Sequence, residues 1–513
     1  MNAFLGIDLG TSGVKAVIID EDGRTLGAGY KEIPLGTPGL GWAEQDPAAW
    51  WDAACSAVRQ AATASRAGKE IKSIGLTGQM LGSVFLDKNL QPLMPCIIWL
   101  DQRASAERDY LENTIGLSKL LEITANYPLT GHWAPKILWL KNNRPEIYEK
   151  TRKILFPKDY LRLGLTGEIA LEVSDTTGSY LFDVPKRTWS GELLRALEIP
   201  REFFPETVLE SEEIAGYLRK EAAEALGLSA GIPVVAGGGD QTVGGIGNGV
   251  VKDGVVSATI GTSGVVFAHT DGVIIDRQPR AALSSCHSVR GKYCFFGCTL
   301  TAGGSFKWVR DQFAASERGY ATERGLDPYD LMTLAAGKAK EGSEGLLFLP
   351  YLNGERTPYP DPDARGVFFG LSLRHGWPEL VRSVMEGVTY SLRDFLEILK
   401  EYGLNVKQVR VSGGGAKSAL WRQMQADIYN TVVISTNVEE GPAVGAAILA
   451  AVGAGYFTSV EEACDRIVIP VGMTEPIARN AALYDDFYHI YRELYPALQQ
   501  KFADQARLVR KWS

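Results

Sequence analysis

The hydrophobic pattern of this chain changes repeatedly between short apolar runs, which predict strands, and apolar residues spaced three and four apart, which predict helices. In the first half, strands are predicted for Phe4–Leu9 and Val14–Ile19. In the second half, strands are predicted for Val255–Ile260 and Val265–Ala268, and a long helix for Glu379–Lys400. The recurrence of the same order of elements predicts an α/β protein built from two similar lobes.

One string of five residues, Gly-Thr-Ser-Gly-Val, occurs at positions 10–14 and again at 261–265, each time between two of these apolar runs. Strand, tight turn and strand form a hairpin, and the exposed N–H groups of such a turn can form a concave nest for phosphate oxygens. A single copy is equally well interpreted as an ordinary glycine-rich hairpin. The repetition favours two lobes that each present a phosphate-binding loop to a shared cleft.

Glycine-rich turns follow two further apolar strands, at 237–240 and 413–416, and small residues from Gly441 onward predict a helix that can pack very closely. Glycines cluster at 248–254, which predicts an N-terminal lobe over 1–248, with a mainly helical insert at 104–227, and a C-terminal lobe over 249–513. An amphipathic helix is predicted for 480–503. Its expected apolar stripe consists of Leu483, Phe487, Ile490, Tyr491 and Leu494.

Composition narrows the functional class. The chain has 513 residues, of which 45% are hydrophobic and 22% charged, as in ordinary globular enzymes, and its net charge of −8 argues against a general nucleic-acid binder. The six cysteines and five histidines show no disulfide framework or zinc-ligand spacing. No apolar run is long enough for a membrane span and no targeting segment is visible, so a cytoplasmic protein is expected. The sequence leaves the oligomeric state open, with a homodimer as one alternative.

Asp240 is the strongest catalytic candidate, because it ends a run of three glycines after an apolar strand and opens a helix. Ligands of open α/β folds bind at such a carboxyl edge, and a carboxylate there can accept the proton of an attacking hydroxyl during phosphoryl transfer. The alternative role is a helix N-cap. A cap does not need three preceding glycines, whereas close approach of a substrate to the backbone does.

Two charged residues flank the first repeated string. Asp8 precedes it by two residues, and a carboxylate beside polyphosphate indicates a bridging cation, for which Mg²⁺ is the expected ion. Lys15 follows the turn and can offset phosphate charge. The alternatives are that Asp8 accepts hydrogen bonds from turn N–H groups and that Lys15 is solvated on a strand. The turn at 413–416 offers a platform free of bulky side chains on which adenosine could lie, with Ser418 near its edge.

These elements, in this order, resemble the FGGY carbohydrate kinases, a family with the two-lobed fold of actin, hexokinase and the Hsp70 ATPase domain. The resemblance covers residues from 1 to about 455 and beyond, and within the family the xylulokinases carry the most similar motifs. The matching segments are 6–11, 42–47, 157–162, 238–240, 261–263, 348–352, 354–358, 366–370, 413–416 and 421–424.

The resemblance implies a kinase that uses ATP and Mg²⁺ to phosphorylate a small-molecule sugar, with Asp240 as the general base and Asp8 on the magnesium side. It also implies that sugar is bound by Gln79, Met80, Leu81, Asp101, Asp240 and Gln241. The ATP-binding residues that it implies are Thr11, Ser12, Lys15, Gly261, Thr262, Gly303, Gly413, Gly414 and Ser418.

The chain departs from the xylulokinase pattern at two expected sugar contacts. Leu81 stands where histidine is usual, and Gln241 stands where asparagine usually follows the catalytic aspartate. Because leucine cannot hydrogen-bond a hydroxyl, the resemblance identifies the family more firmly than it identifies the sugar. D-xylulose is the expected substrate, and ribulose, erythritol or a glycerol-like polyol is the alternative. A nucleotide-driven switch of the actin or Hsp70 type is the alternative from another functional class.

Overall fold

The computed structural model describes residues 2–65 and 70–512. The strands of the first half are β1 (Ala3–Leu9), β2 (Gly13–Asp20), β3 (Thr25–Glu32), β4 (Glu44–Gln45), β5 (Ile71–Gly78), β6 (Val84–Leu86), β7 (Cys96–Ile97), β8 (Lys153–Leu155), β9 (Leu171–Glu172), β10 (Phe182–Asp183), β11 (Thr188–Trp189), β12 (Val208–Leu209), β13 (Ile214–Tyr217), β14 (Pro233–Val235) and β15 (Gly238–Gly239). The helices of this half are α1 (Pro47–Ser65), α2 (Ser105–Ile115), α3 (Leu117–Thr124), α4 (Trp133–Asn143), α5 (Pro145–Tyr148), α6 (Pro157–Thr166), α7 (Val173–Thr177), α8 (Gly191–Ala196), α9 (Lys220–Leu226) and α10 (Asp240–Gly247).

The second half has the same kind of alternation. Its strands are β16 (Val255–Ile260), β17 (Gly264–Thr270), β18 (Leu283–Cys286), β19 (Tyr293–Thr299), β20 (Leu347–Leu349), β21 (Val367–Phe369), β22 (Gln408–Gly413), β23 (Val432–Thr436) and β24 (Pro470–Thr474). Its helices are α11 (Gly303–Gln312), α12 (Ala315–Arg324), α13 (Pro328–Ala336), α14 (Trp377–Glu401), α15 (Gly414–Lys417), α16 (Ala419–Tyr429), α17 (Gly441–Gly453), α18 (Val460–Ile467) and α19 (Ala478–Trp512).

The two main sheets have matching topologies. The first has the order β13-β14-β5-β1-β2-β3, with β15 also paired to β5, and the second has the order β18-β19-β17-β16-β22-β23-β24. In each sheet an antiparallel hairpin, β1–β2 or β16–β17, is joined to parallel strands, β5 and β14 or β22 and β23. The α/β fold with two similar lobes, predicted from the repeated string, is therefore confirmed. The outer ends of the predicted lobes, residues 1 and 513, lie outside the described residues.

Helix α17 comes from the second half of the sequence but packs on the first sheet. A Cβ atom at Gly6 would lie 1.8 Å from the carbonyl oxygen of Ala443, and one at Gly75 would lie 1.9 Å from that of Ala446. On its other side, α17 contacts α10, where a Cβ at Gly247 would lie 1.8 Å from the carbonyl oxygen of Gly441. The close packing predicted for this small-residue helix is confirmed, and it ties the helix that begins at Asp240 to the first sheet.

The helical insert is more mixed than its sequence predicted, because α2–α9 alternate with the short strands β8–β13. The C-terminal helix α19 is also longer than expected, and its predicted stripe is wrong at Ile490, which is 45% exposed. Tyrosines form much of the buried face because buried partners satisfy their hydroxyl groups: Tyr484 donates to Glu386 and Tyr488 donates to Asp394. Within residues 2–65 and 70–512, the structure contains no helix of the length and apolarity that crossing a membrane would require.

Candidate active site

The first sheet brings two aspartates, Asp8 and Asp240, to the carboxyl end of its parallel strands. In the register of the sheet, Asp8 on β1 and Gly238 on β15 both pair with Thr77 of the central strand β5. Asp240 follows two residues after Gly238, as the first residue of α10. Both segments end near the carboxyl end of β5, so the sheet places the Asp8 and Asp240 carboxylates beside one cleft.

The two carboxylates influence each other electrostatically. Burial raises the pKa of Asp240 to about 6, while hydrogen bonds from the backbone and side chain of Gln241 act in the opposite direction. Burial also raises the pKa of Asp8 to about 8, and the negative charge of Asp240 raises it further, against the lowering effect of Lys15. A pKa near 6 leaves Asp240 mostly ionised at neutral pH, which is the state a proton acceptor requires.

The surroundings of Asp8 fit a cation. Its Oδ1 atom is buried and has no hydrogen-bond partner among the described residues. Within residues 2–65 and 70–512, no group of three or more histidine, cysteine, aspartate or glutamate side chains is arranged so that it could hold a metal ion by itself. Protein Mg²⁺ sites commonly use one or two carboxylates and complete the coordination with water and substrate phosphates. The donor set at Asp8 and Asp240 matches that requirement.

A cavity of about 210 Å³ lies between the two halves of the chain, next to Asp240. Its walls include four of the predicted sugar-binding residues, Met80, Leu81, Asp240 and Gln241. The other lining residues are Thr11, Trp99, Asn126, His132, Thr177, Gly178, Ser263, Val265, Ala281, Leu283, Ser284, Ser285, Phe296, Gly297, Cys298 and Arg356. We call this space the acceptor cavity.

Leu81 is held in an unusual backbone conformation at the wall of the acceptor cavity. Its φ angle is +69°, and its carbonyl oxygen accepts a 2.9 Å hydrogen bond from the buried ammonium of Lys136. Its side chain packs against two glycines, since a Cβ at Gly178 would lie 2.5 Å from Leu81 Cδ2 and one at Gly131 would lie 3.3 Å from Cδ1. The fold therefore fixes Leu81 as an apolar part of the wall.

The other two predicted sugar-binding residues are fully buried behind the cavity wall. Gln79 donates to Gln45 at 2.7 Å, and Gln45 in turn donates to the carbonyl oxygen of Thr11 at 2.7 Å. Asp101 accepts from the backbone N–H of Ala43 at 2.6 Å and forms an ion pair with Arg103 at 2.7 Å. Neither side chain lines the acceptor cavity, so in this structure both support the wall, and their contact with sugar stays a prediction.

A second, larger cavity of about 760 Å³ lies in the second half of the chain. It is lined by five predicted ATP-binding residues, Gly261, Thr262, Gly303, Gly414 and Ser418. The other lining residues are Ile260, Gly304, Phe306, Lys307, Asp327, Tyr329, Asp330, Thr333, Leu334, Gly415, Lys417, Ala419, Leu420 and Trp421. We call this space the nucleotide cavity, because it combines backbone N–H groups, two lysines and an apolar wall.

Four predicted ATP-binding residues lie outside the nucleotide cavity. Thr11 lines the acceptor cavity instead. The carbonyl oxygen of Ser12 accepts a hydrogen bond from Ile33, and Lys15 forms an ion pair with Glu440 at 2.5 Å. Gly413, with a φ of +75°, packs against Ile260, where a Cβ would lie 2.4 Å from the carbonyl oxygen. The contacts of these four residues with ATP stay predictions.

The second hairpin separates the two cavities. Gly261 and Thr262 line the nucleotide cavity, whereas the next residue, Ser263, lines the acceptor cavity. The hairpin is also joined to the start of α11, because Gly303 donates to the carbonyl oxygen of Gly261 at 2.8 Å and Gly304 donates to that of Thr262 at 2.9 Å. A group transferred between the cavities would pass this turn.

Several cavity residues were not identified from the sequence. In the acceptor cavity they include Trp99, Asn126, His132 and Arg356, which come from loops and helix ends far apart in the chain. Arg356 lies in the segment 354–358 that carries part of the family resemblance, and this was an available signal. The others have no local pattern that marks them, because tertiary folding alone brings them together.

The chain matches the FGGY family of carbohydrate kinases with its N-terminal domain over residues 3–247 and its C-terminal domain over residues 256–454. The chain belongs to this family. It is 38% identical over 497 residues to the xylulose kinase of Escherichia coli strain K12, covering 96% of this chain and 99% of the relative.

Two solved structures are similar to this FGGY kinase over nearly its whole length. A protein described as a xyloylose kinase from Brucella ovis is 35% identical, with a TM-score of 0.87 and coverage of 97% of this chain and 100% of that one. A gluconate kinase from Lactobacillus acidophilus is 26% identical, with a TM-score of 0.90 and coverage of 98% and 99%. The two-lobed fold of the family, related to actin and hexokinase, is thereby confirmed.

Proposed function

We propose that this FGGY kinase transfers the γ-phosphoryl group of ATP to the terminal hydroxyl of D-xylulose, giving D-xylulose 5-phosphate and ADP. The observation that carries the proposal is the full-length similarity to the xylulose kinase of E. coli, at 38% identity. The site geometry supports it, because a small acceptor cavity lined by Asp240 adjoins a larger cavity across one glycine-rich hairpin. Cytoplasmic location and a homodimer remain predictions from the sequence.

In the proposed reaction, Asp240 accepts the proton of the sugar hydroxyl as the hydroxyl oxygen forms a bond to the γ-phosphorus of ATP. The bond between that phosphorus and the oxygen bridging to the β-phosphate breaks, and ADP leaves. Asp240, the first residue of α10, is suited to this role because it lines the acceptor cavity and its pKa of about 6 leaves it mostly ionised at neutral pH. Positioning and charge stabilisation account for most of the catalysis in such a site.

Asp8 is the residue we assign to Mg²⁺. Its buried, unpartnered Oδ1 and its pKa, raised by burial and by Asp240, are the properties of a carboxylate that a cation would stabilise. When bound, Mg²⁺ neutralises negative charge on the polyphosphate. Thr262 and Gly303 line the nucleotide cavity, and the turn at Gly414 offers a flat surface for adenosine.

Another ketose or polyol is the alternative acceptor. The observation that favours it is the apolar wall at Leu81, where a hydrogen-bonding side chain is expected for D-xylulose. The gluconate kinase from L. acidophilus also has a similar fold, so this architecture alone does not determine the sugar. A nucleotide-driven switch is disfavoured, because both cavities lie in segments that match a carbohydrate kinase family.

An ADP-release assay over a panel of acceptors tests the proposal. Purified protein with ATP and Mg²⁺ is incubated separately with D-xylulose, D-ribulose, L-ribulose, erythritol, glycerol and gluconate, and ADP is measured by a coupled enzyme reaction. We expect the highest kcat/KM with D-xylulose. Background activity with D-xylulose together with efficient phosphorylation of another acceptor would overturn the sugar assignment but not the kinase assignment. ADP release without any acceptor dependence would favour a nucleotide switch.

A further inference from the structure

The acceptor cavity lacks a polar side chain at Leu81 but contains a histidine nearby. His132, the residue before α4, lines the same cavity and is only 4% exposed. A Cβ at the adjacent Gly131 would lie 3.3 Å from Leu81 Cδ1, so the chain segment that carries His132 packs directly on the Leu81 side chain. The two residues therefore belong to one part of the cavity wall.

The hydrogen bond at Nδ1 of His132 indicates which ring nitrogen carries the proton. The backbone N–H of Leu129 donates to Nδ1 of His132 at 3.0 Å, so Nδ1 is the acceptor atom of a neutral ring. Burial lowers the pKa of His132 to about 3, and the charges of Lys136 and Arg356 lower it further. The proton of the neutral ring is then on Nε2, for which no partner is found among the described residues.

The orientation of the imidazole is fixed by aromatic stacking. One ring face lies on Tyr180 with 4.7 Å between centroids and 13° between the ring planes. The Tyr180 hydroxyl in turn donates to the carbonyl oxygen of Asn126 at 2.9 Å, and Asn126 also lines the cavity. Because His132 lines the acceptor cavity with Nδ1 occupied and one ring face covered, Nε2–H is the polar group of the ring that is left for a bound acceptor.

Contacts along the wall show which end of the sugar His132 would reach. A Cβ at Gly239, next to Asp240, would lie 2.7 Å from Met80 Cγ, so Met80 lies at the reacting end. Leu81 follows Met80 and packs on Gly131, so Met80 and Leu81 stand between Asp240 and His132 in this series of contacts. His132 is therefore near the end of the acceptor that is remote from the phosphorylated hydroxyl, which in a 2-ketose is the carbonyl end.

We infer that His132 donates a hydrogen bond from Nε2–H to the carbonyl end of the sugar and supplies the contact that Leu81 cannot make. This assignment rests on the proposed function and adds a substrate-binding residue to it. A fixed neutral donor suits a carbonyl oxygen, which can only accept.

Two substitutions separate the proposed role from a structural one. In His132→Asn the amide oxygen can take the place of Nδ1 and accept from Leu129, but the donor at Nε2 is lost. In His132→Gln the amide nitrogen can reach the place of Nε2, but the acceptor for Leu129 is lost. Asparagine is also a favoured residue at a helix N-terminus, so His132→Asn is expected to fold. Kinetic constants for D-xylulose and ATP are measured for both variants and the unmodified protein.

We expect His132→Asn to lower kcat/KM for D-xylulose by roughly tenfold or more, mainly through KM for the sugar, and to leave KM for ATP unchanged. His132→Gln, which keeps a donor near the place of Nε2, is expected to have a kcat/KM for D-xylulose roughly threefold or more above that of His132→Asn. Near-normal constants for His132→Asn would overturn the inference. Equal losses in both variants would also overturn it, because they would indicate a structural role.

If the proposed function is wrong, the experiment gives a different result. In that case the unmodified protein itself does not phosphorylate D-xylulose above background. The two variants are then compared on the best acceptor of the panel. A selective loss in His132→Asn supports the donor role with that acceptor, and no selective loss overturns it.

Discussion

The two Gly-Thr-Ser-Gly-Val hairpins have the same sequence but differ in strand register, since Leu9 pairs with Val14 whereas Ile260 pairs with Gly264, and they differ in their surroundings. In the first, the N–H of Gly10 donates to the carbonyl oxygen of Gly13 at 3.0 Å, and in the second, the N–H of Gly261 donates to that of Ser263 at 3.0 Å. Each hairpin joins an antiparallel strand pair that continues into parallel strands. The accepting residues, Gly13 and Ser263, are not at corresponding positions, so local sequence predicts a hairpin but determines neither its exact turn nor the ligand that it contacts.

The neighbours of each turn differ. At the first hairpin, the Thr11 hydroxyl accepts from the indole N–H of Trp99 at 2.9 Å, which ties the turn to the acceptor cavity. At the second, the carbonyl oxygen of Thr262 accepts from the N–H groups of Ala302 and Gly304, each at 2.9 Å, which ties it to α11 and the nucleotide cavity. We therefore expect the first hairpin to act on the sugar side and the second on the ATP side.

The flanking charges also belong to one hairpin only. Asp8 and Lys15 flank the first string, whereas Thr259 and Val266 occupy the corresponding positions of the second. The Thr259 hydroxyl is hydrogen-bonded to that of Ser412 at 2.7 Å, within the second sheet. The carboxylate pair of Asp8 and Asp240 is therefore a feature of the first lobe, and predictions about charge should apply there alone.

The largest effect is expected at Asp240, which lies in the acceptor cavity beside both hairpins. Asp240→Asn keeps the size of the side chain but removes its ability to accept a proton. We expect kcat to fall by roughly 10²–10⁴-fold with little change in sugar binding. Steady-state kinetics and direct titration of D-xylulose measure the two quantities. Near-normal turnover in a folded Asp240→Asn protein would contradict its role as the base.

The second-largest effect is expected at Asp8, and comparing it with Thr259 tests the difference in charge between the two hairpins. Asp8→Asn is expected to lower kcat by roughly 10²-fold and to raise the Mg²⁺ concentration required for half-maximal activity, because a cation ligand is lost. Thr259→Val, at the corresponding position of the second hairpin, is the matched control and is expected to stay within about threefold of the unmodified protein. Similar losses in both variants would indicate disturbed hairpins rather than a cation site at Asp8.

The pKa of Asp240 predicts a dependence on pH. Because burial raises this pKa to about 6, kcat/KM should fall about tenfold per pH unit below that value as the base becomes protonated. The limb near pH 6 should be absent from the residual activity of Asp240→Asn. A pH profile that is flat between 5 and 7 would contradict the assignment.

The same shift predicts an effect on stability. The folded-state pKa of Asp240 lies above the unfolded value, so the native state binds more protons between about pH 4 and 6, and the free energy of unfolding falls as pH rises through this range. Asp240→Asn removes this cost and should be more stable than the unmodified protein at pH 7, by up to about 3 kcal/mol. Denaturant unfolding at pH 7 and pH 4 measures the difference, which should shrink at the lower pH. An equal difference at both pH values would contradict this explanation.

The sequence predicted the elements whose causes are local. The two hairpins, the helix starting at Asp240 and the close-packed α17 all depend on glycine placement and apolar runs, which can be identified in a single segment. Contacts between distant segments could not be predicted in this way. The hydrogen bond from Trp99 to Thr11 and the position of His132 beside Leu81 both depend on segments that are far apart in the sequence. In α19 the predicted stripe was wrong at Ile490 and did not include Tyr484 and Tyr488, whose hydroxyl groups are satisfied by Glu386 and Asp394 from a distant helix.

The Michaelis constants for D-xylulose and ATP, measured in two matched variants, test most directly whether the two hairpins contact different substrates. Thr11→Val and Thr262→Val remove one hydroxyl from the same position of each string while keeping the β-branched shape. With D-xylulose and ATP as substrates, Thr11→Val should raise KM for D-xylulose by up to about tenfold and leave KM for ATP unchanged, and Thr262→Val should do the reverse. An increase in KM for ATP in both variants, with KM for the sugar unchanged, would contradict the assignment of the first hairpin to the sugar side.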